Sequence, residues 1–158
     1  MSERAGIGYD SHRFEEGRRL VLGGVEVPGA ERGLAGHSDA DALTHALIDA
    51  LLGAAGLGDI GQHFPDSDER WRDADSVALL EEVSGFLEQH GWSVRHMDAT
   101  VICEAPKLGP HRDAMRTRLA GALGLETAAM NVKFTTGEGM GFVGRGEGIA
   151  ALAIATLA

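Results

Sequence analysis

Glycine occupies positions 137, 139, 141, 144, 146 and 148 of this 158-residue chain. No stable helix or plain strand accepts that density, because each glycine gives up backbone freedom and returns no side-chain contact. The stretch is expected to be a loop. Thr135, Thr136 and Glu138 open it with two hydroxyls and a carboxylate, a set suited to phosphate and a divalent ion. Phe142, and the apolar run at 149–157 that follows, imply a packed loop. Arg145 and Glu147 stand between glycines, and either would be costly to bury unpaired. The pattern G-x-x-x-x-G-K-[ST] is absent, so this is no P-loop.

The rest of the chain alternates strand-like and helix-like segments. Residues 5–9 read as a strand. Residues 20–22 and 25–27 flank Gly23-Gly24 as a hairpin, which Pro28 ends. Residues 38–55 read as a helix with Ser38 as N-cap, Asp41 in a capping-box-like place and an apolar stripe from Leu43 to Leu51. Gly56 and Gly58 close it, and residues 58–71 form a polar loop. Further helices are expected at 75–90 and 110–123, with strands at 92–103, 132–135 and 149–157. The last strand is apolar on both faces, as a buried strand would be. Length and order favour one α/β (α+β) sandwich domain over 1–158, with one sheet face left in need of cover, which points to an oligomer.

Fourteen Lys and Arg against 24 Asp and Glu leave a net charge of −10, which argues against nucleic acid as a partner. Cys103 is the single cysteine and sits in an apolar run, so it reads as a small buried hydrophobe and no internal disulfide can form. The charged start Met1-Ser2-Glu3-Arg4 is followed by no apolar h-region, and the longest apolar run, 149–158, is too short to span a bilayer, so a cytoplasmic location without a signal peptide is the expectation.

Candidate ligands recur at short spacing. In an extended segment Asp10 and His12 point to one face. On a helix starting at Ser38, Asp41 and His45 are neighbours, so Asp41 is expected to orient His45. Asp10, His12 and His45 make a two-histidine, one-carboxylate set with an open fourth position, the pattern of a catalytic zinc. Asp59, Gly61 and Asp66 lie in the polar loop and suit hydroxyl or phosphate binding, and Lys107 after Ala105-Pro106 offers a point charge.

Together the stretches G-Y-D-S-H-R-F, A-G-H-S-D-A-D-A-L-T-H-A-L, G-D-I-G, F-P-D-S-D, A-P-K and T-T-G-E-G-M-G-F-V-G-R-G-E-G resemble the 2-C-methyl-D-erythritol 2,4-cyclodiphosphate synthase family. The match runs in family order over nearly the whole chain. The resemblance implies a homotrimer of sandwiches, each with a four-stranded mixed sheet covered by helices, and active sites between subunits. It implies a lyase-type phosphoryl transfer in the non-mevalonate isoprenoid pathway. The 2-phosphate of 4-diphosphocytidyl-2-C-methyl-D-erythritol 2-phosphate attacks the β-phosphorus and CMP leaves.

Carried over by motif, Asp10, His12 and His45 would bind zinc, and Glu138 a magnesium or manganese ion. His37 and Ser38 would sit in a loop by the methylerythritol phosphates. Asp59, Gly61 and Asp66 would hold methylerythritol. Ala105, Pro106, Lys107, Thr135 and Thr136 would hold the cytidine diphosphate, with Thr136 positioning phosphate. Phe142, Arg145 and Glu147 would line the trimer axis, where some members hold an isoprenoid diphosphate. Three residues depart from the family pattern: Gly137 for Thr, Ser or Asn, Phe134 for a small residue, and Val143 for Thr. Alternation with Thr135 lets Phe134 point away from the nucleotide pocket. Two other readings are a zinc phosphohydrolase, marked by a linear product, and a non-catalytic trimer that binds isoprenoid diphosphate through Arg145.

Overall fold

The computed structural model describes residues 2–158. Strand β1 runs Arg4–Glu16, well past the expected end at residue 9. The extension arises because β1 finds two partners in turn: β7 (Gly148–Leu157) up to Arg13, then β4 (Arg32–Leu34) from Phe14 to Glu16. Strands β5 (Val94–Ile102) and β6 (Met130–Thr135) complete one sheet in the order β4-β1-β7-β5-β6. Only the β5–β6 pair is parallel. The sheet therefore has five strands where four are expected. Three-residue β4 carries no alternation that a sequence pattern would reveal. The hairpin of β2 (Val21–Leu22) and β3 (Val25–Glu26) stands apart as a two-stranded ribbon.

Helix α1 (Ala42–Ala55) lies on the inner face of β1 and β7 with almost nothing between. On that face β1 presents Gly6 and Gly8, paired with Ala155 and Ala153 of β7. A Cβ on Gly8 would fall 1.9 Å from the Ala46 carbonyl oxygen, and one on Gly6 2.1 Å from that of Ala50. Glycine is needed here for closeness alone. Helices α3 (Ser76–Gln89) and α4 (Arg112–Ala122) continue the helical layer, and Asp75 caps α3.

Helix α1 begins at Ala42 instead of Ser38 because Ala40 takes a left-handed φ of 58°, which no α-helix continues through. Asp41 is thus the N-cap and does not face His45. Its buried carboxylate accepts the N–H groups of Gly23 (2.9 Å), Gly24 (2.8 Å) and Thr44 (3.0 Å) and the Thr44 hydroxyl (2.7 Å). One side chain thereby joins the hairpin turn to the start of α1. Burial and the charge of Asp39 push its carboxyl upward, and the donors oppose that.

The expected loop at 58–71 holds one turn of helix, α2 (Ile60–His63), and a 3₁₀ turn at Glu69–Trp71. The glycine-dense stretch also folds into one turn, α5 (Gly141–Gly144). It is packed as expected, but through Val143, while Phe142 stays 37% exposed. Strand β7 is fully buried on the face that carries Ala151, Ala153 and Ala155, and only at its start, through Ala150, on the other. Leu152 and Ile154 face outward beside Ile7 and Tyr9, all four exposed in the single chain. Among the described residues no helix is long and apolar enough to cross a membrane.

Adding one methyl at Gly8 must push α1 from the sheet. Gly8→Ala should cost about 1–3 kcal/mol, read as a lower urea midpoint. An unchanged midpoint would mean that the helix is free to lift.

Candidate metal centre and its surroundings

The contact between α1 and β1 brings the ligand candidates together. Asp10 and His12 are alternate residues in the middle of β1, and both face the helix layer, as their spacing predicts. His45 comes from the first turns of α1. Asp10 Oδ2 lies 2.8 Å from His12 Nε2 and 3.1 Å from His45 Nδ1, and the two nitrogens are 3.3 Å apart. Donors at about 2.0–2.1 Å from a tetrahedral ion stand about 3.3–3.4 Å from one another. The three atoms already approximate the edges of such a tetrahedron, and the set can hold a metal ion.

The histidines are oriented from behind. His12 Nδ1 is 2.7 Å from the Ala35 carbonyl, which only accepts, so Nδ1 keeps a proton and Nε2 is the nitrogen an ion would take once its own proton is lost. Behind His45 stand Ser76 and Ser38 in place of the expected Asp41. Burial alone would raise the Asp10 carboxyl, but hydrogen bonds and attraction from His12 and His45 bring it down to about 2. Burial alone would lower His12, yet its hydrogen bond and attraction to Asp10 leave it above the ordinary 6.5.

The triad lines a cavity of about 320 Å³ that also takes in His37, Ser38, Gly61 and Asp66. Phe64, Trp71 and Leu79 form its apolar wall, and the sequence reading misses them. Asp59 is not on this wall. Its carboxylate caps α2 in a capping box with Gln62.

A second cavity, of about 230 Å³, gathers Pro106, Lys107, Thr135 and Thr136. Ala105 lines a neighbouring hollow with Phe14 and Arg32 instead. Phe134 also lines the second cavity, contrary to the alternation argument, with the Arg112 guanidinium 5.3 Å from its ring centre. It is the penultimate residue of an edge strand, where the inner face opens toward the Cys103–Leu108 loop. Cys103 is buried there, which pushes its thiol up to about 11 and keeps it an unreactive neutral group.

Gly137 fits a close place. Its N–H donates to the Glu104 carboxylate, and a Cβ would fall 2.8 Å from the Met140 carbonyl oxygen. A larger residue there would need a different loop. Glu138 follows with a φ of 53°, its N–H donating to Thr136 Oγ1 at 3.2 Å. Phe142 and Glu147 border a fourth hollow beside His12 and Arg13, and Arg145 pairs with Glu147 at 3.0 Å, both exposed.

A helix-covered mixed sheet with a His–His–carboxylate pocket defines the class as an α+β protein with a metal-capable site. The YgbB family model matches residues 3–158, and the chain belongs to that family. A bifunctional enzyme IspD/IspF of Anaeromyxobacter dehalogenans is 60% identical over 152 residues, 96% of this chain but 39% of that protein. A 2-C-methyl-D-erythritol 2,4-cyclodiphosphate synthase of Salinibacter ruber is 59% identical over 154 residues, 98% of both chains. A solved 2C-methyl-D-erythritol-2,4-cyclodiphosphate synthase in its CDP-bound form superposes with a TM-score of 0.89 at 41% identity, covering 98% of this chain and all of that one.

The raised His12 makes metal binding compete with protons. Below its raised value His12 carries a proton that an ion must displace; above it the nitrogen is free. Zinc affinity, measured by chelator competition, should weaken about tenfold per pH unit as pH falls below the His12 value. An affinity unchanged between pH 7 and pH 6 would remove His12 from the ligand set.

Proposed function

We propose that this chain converts 4-diphosphocytidyl-2-C-methyl-D-erythritol 2-phosphate to 2-C-methyl-D-erythritol 2,4-cyclodiphosphate and CMP, a step of the non-mevalonate route to isoprenoid precursors. The observation that carries this is the tetrahedral spacing of Asp10, His12 and His45 in a chain collinear with synthases of that name. The new bond joins a 2-phosphate oxygen to the β-phosphorus, and the bond from that phosphorus to the bridging oxygen breaks. CMP departs with that electron pair.

The reaction asks the protein for in-line placement and charge neutralisation more than for a nucleophile. Asp10, His12 and His45 fit zinc, and Glu138 fits a magnesium or manganese ion. When bound, these ions neutralise and polarise the phosphates. His37 and Ser38 hold the methylerythritol phosphates at the cavity rim. Gly61 and Asp66 meet the methylerythritol hydroxyls, with Asp59 setting the α2 turn that presents Gly61. Pro106, Lys107, Thr135 and Thr136 form the cytidine diphosphate pocket, with Ala105 shaping its turn. The CDP-bound form of the solved relative supports a cytidine nucleotide as the occupant. A polyanionic substrate and product suit a cytoplasmic enzyme.

The metal cavity and the nucleotide cavity share no lining residue. Asp10 and Phe134 lie in one cross-strand row with Ala151 and Val101 between them, three strand spacings or about 14 Å. A homotrimer that joins the metal cavity of one subunit to the nucleotide cavity of the next would complete the site. The exposed Ile7, Tyr9, Leu152 and Ile154 supply an apolar face for it. Phe142, Arg145 and Glu147 would then approach the axis, where an isoprenoid diphosphate would meet Arg145.

Phosphorus NMR of the protein with substrate, zinc and magnesium should show the cyclic diphosphate and equimolar CMP. CMP with a linear product would mark a hydrolase and overturn the reading. Light scattering should give a trimer, and a monomer at assay concentration would remove the shared site. His45→Ala should fold normally yet lose zinc and at least a hundredfold of kcat/KM (about 2.7 kcal/mol).

A further inference from the structure

We propose that Ser76 and Asp39 are positioning residues of the metal centre, which set the tautomer of His45 and leave its Nδ1 bare toward Asp10 and His12. Ser76 is the first residue of α3 and fully buried. Its hydroxyl lies between two groups: Asp39 Oδ1, to which it donates, and His45 Nε2, at 2.7 Å. The hydroxyl owns a single proton. A carboxylate has none to give, so the Ser76 proton goes to Asp39. With that proton committed, Ser76 Oγ only accepts from His45, and the shared proton belongs to His45 Nε2. A neutral imidazole protonated at Nε2 has its lone pair on Nδ1. Nδ1 is the atom that faces the other two ligand candidates.

The arrangement is held on every side. Asp39 Oδ2 accepts the Ser76 N–H at 2.9 Å, and Oδ1 also accepts the Asp41 N–H at 3.1 Å. The Asp39 N–H donates to the Ala74 carbonyl at 3.1 Å, which ties its loop to the entry of α3. Ser38 Oγ stands 3.2 Å from the same His45 nitrogen and adds a second acceptor for its proton. In the metal-free site Asp10 competes by offering an acceptor to Nδ1, so the outcome tests which side controls the ring. Helix α1 supplies the ligand, and α3 decides which of its nitrogens is available.

The consequence for zinc rests on the metal reading above; the tautomer does not. Nitrogen-15 long-range correlation spectra of the metal-free protein, taken where His45 is neutral, should show the Nε2–H form. Ser76→Ala should lose that preference and weaken zinc binding about 10–100-fold in chelator competition. Ser76→Thr, which keeps a hydroxyl, should restore both. A wild-type His45 found as the Nδ1–H form would overturn the proposal, even if Ser76→Ala failed to fold. Wild-type zinc affinity in a folded Ser76→Ala variant would do the same. If the wild type bound no zinc while His45 showed Nε2–H, the metal reading would fall and the positioning role would stand.

Discussion

The structure depends on how closely α1 can lie against β1. Gly6 and Gly8, with Ala151, Ala153 and Ala155 beside them, leave room for helix backbone where side chains would normally intervene. That closeness carries His45 to within hydrogen-bond range of Asp10 and His12. With a layer of leucines between, the same residues would stand several ångströms apart and hold no shared ion. Packing density and donor spacing are therefore one property of this fold, fixed by residues without chemistry of their own.

Much of the site was legible because it obeys local periodicity. Asp10 and His12 share a face by the two-residue repeat of a strand, and His45 follows the first turn of a helix whose apolar stripe is plain. The helix starts later than the pattern suggests because Ser38 and Asp41 are both good caps, and only the left-handed Ala40 decides between them. The observed partner of His45 differs from the expected Asp41 for a related reason. Asp41 is near in sequence, but its carboxylate is taken by Gly23, Gly24 and Thr44. Ser76 lies 31 residues from His45 and has no pattern to announce it. The short strand β4 is likewise set by a tertiary partner, β1, whereas the Asp59 cap is local, a capping box with Gln62 three residues on.

The departures from family pattern are explained unevenly by the packing. Gly137 sits where a Cβ has no room, so the loop and the residue agree with each other. Phe134 stands at the wall of the second cavity, and Arg112 rests near its ring. An aromatic face there gives the cavity an apolar side, while Thr135 and Thr136 line the same opening. Val143 is the buried anchor of the glycine-rich turn, and a valine fills that role without any polar group to satisfy.

Strand β7 carries two messages in alternate letters. Ala151, Ala153 and Ala155 face the close-packed α1, while Leu152 and Ile154 face outward and offer the apolar surface that a neighbour would cover. A slip of one position would exchange the two sets. Leucine and isoleucine would then meet the helix backbone where Gly8 leaves no space, and the outer surface would be reduced to methyl groups. The reading frame of this one strand is thus guarded from both sides, by crowding within the subunit and by stickiness outside it.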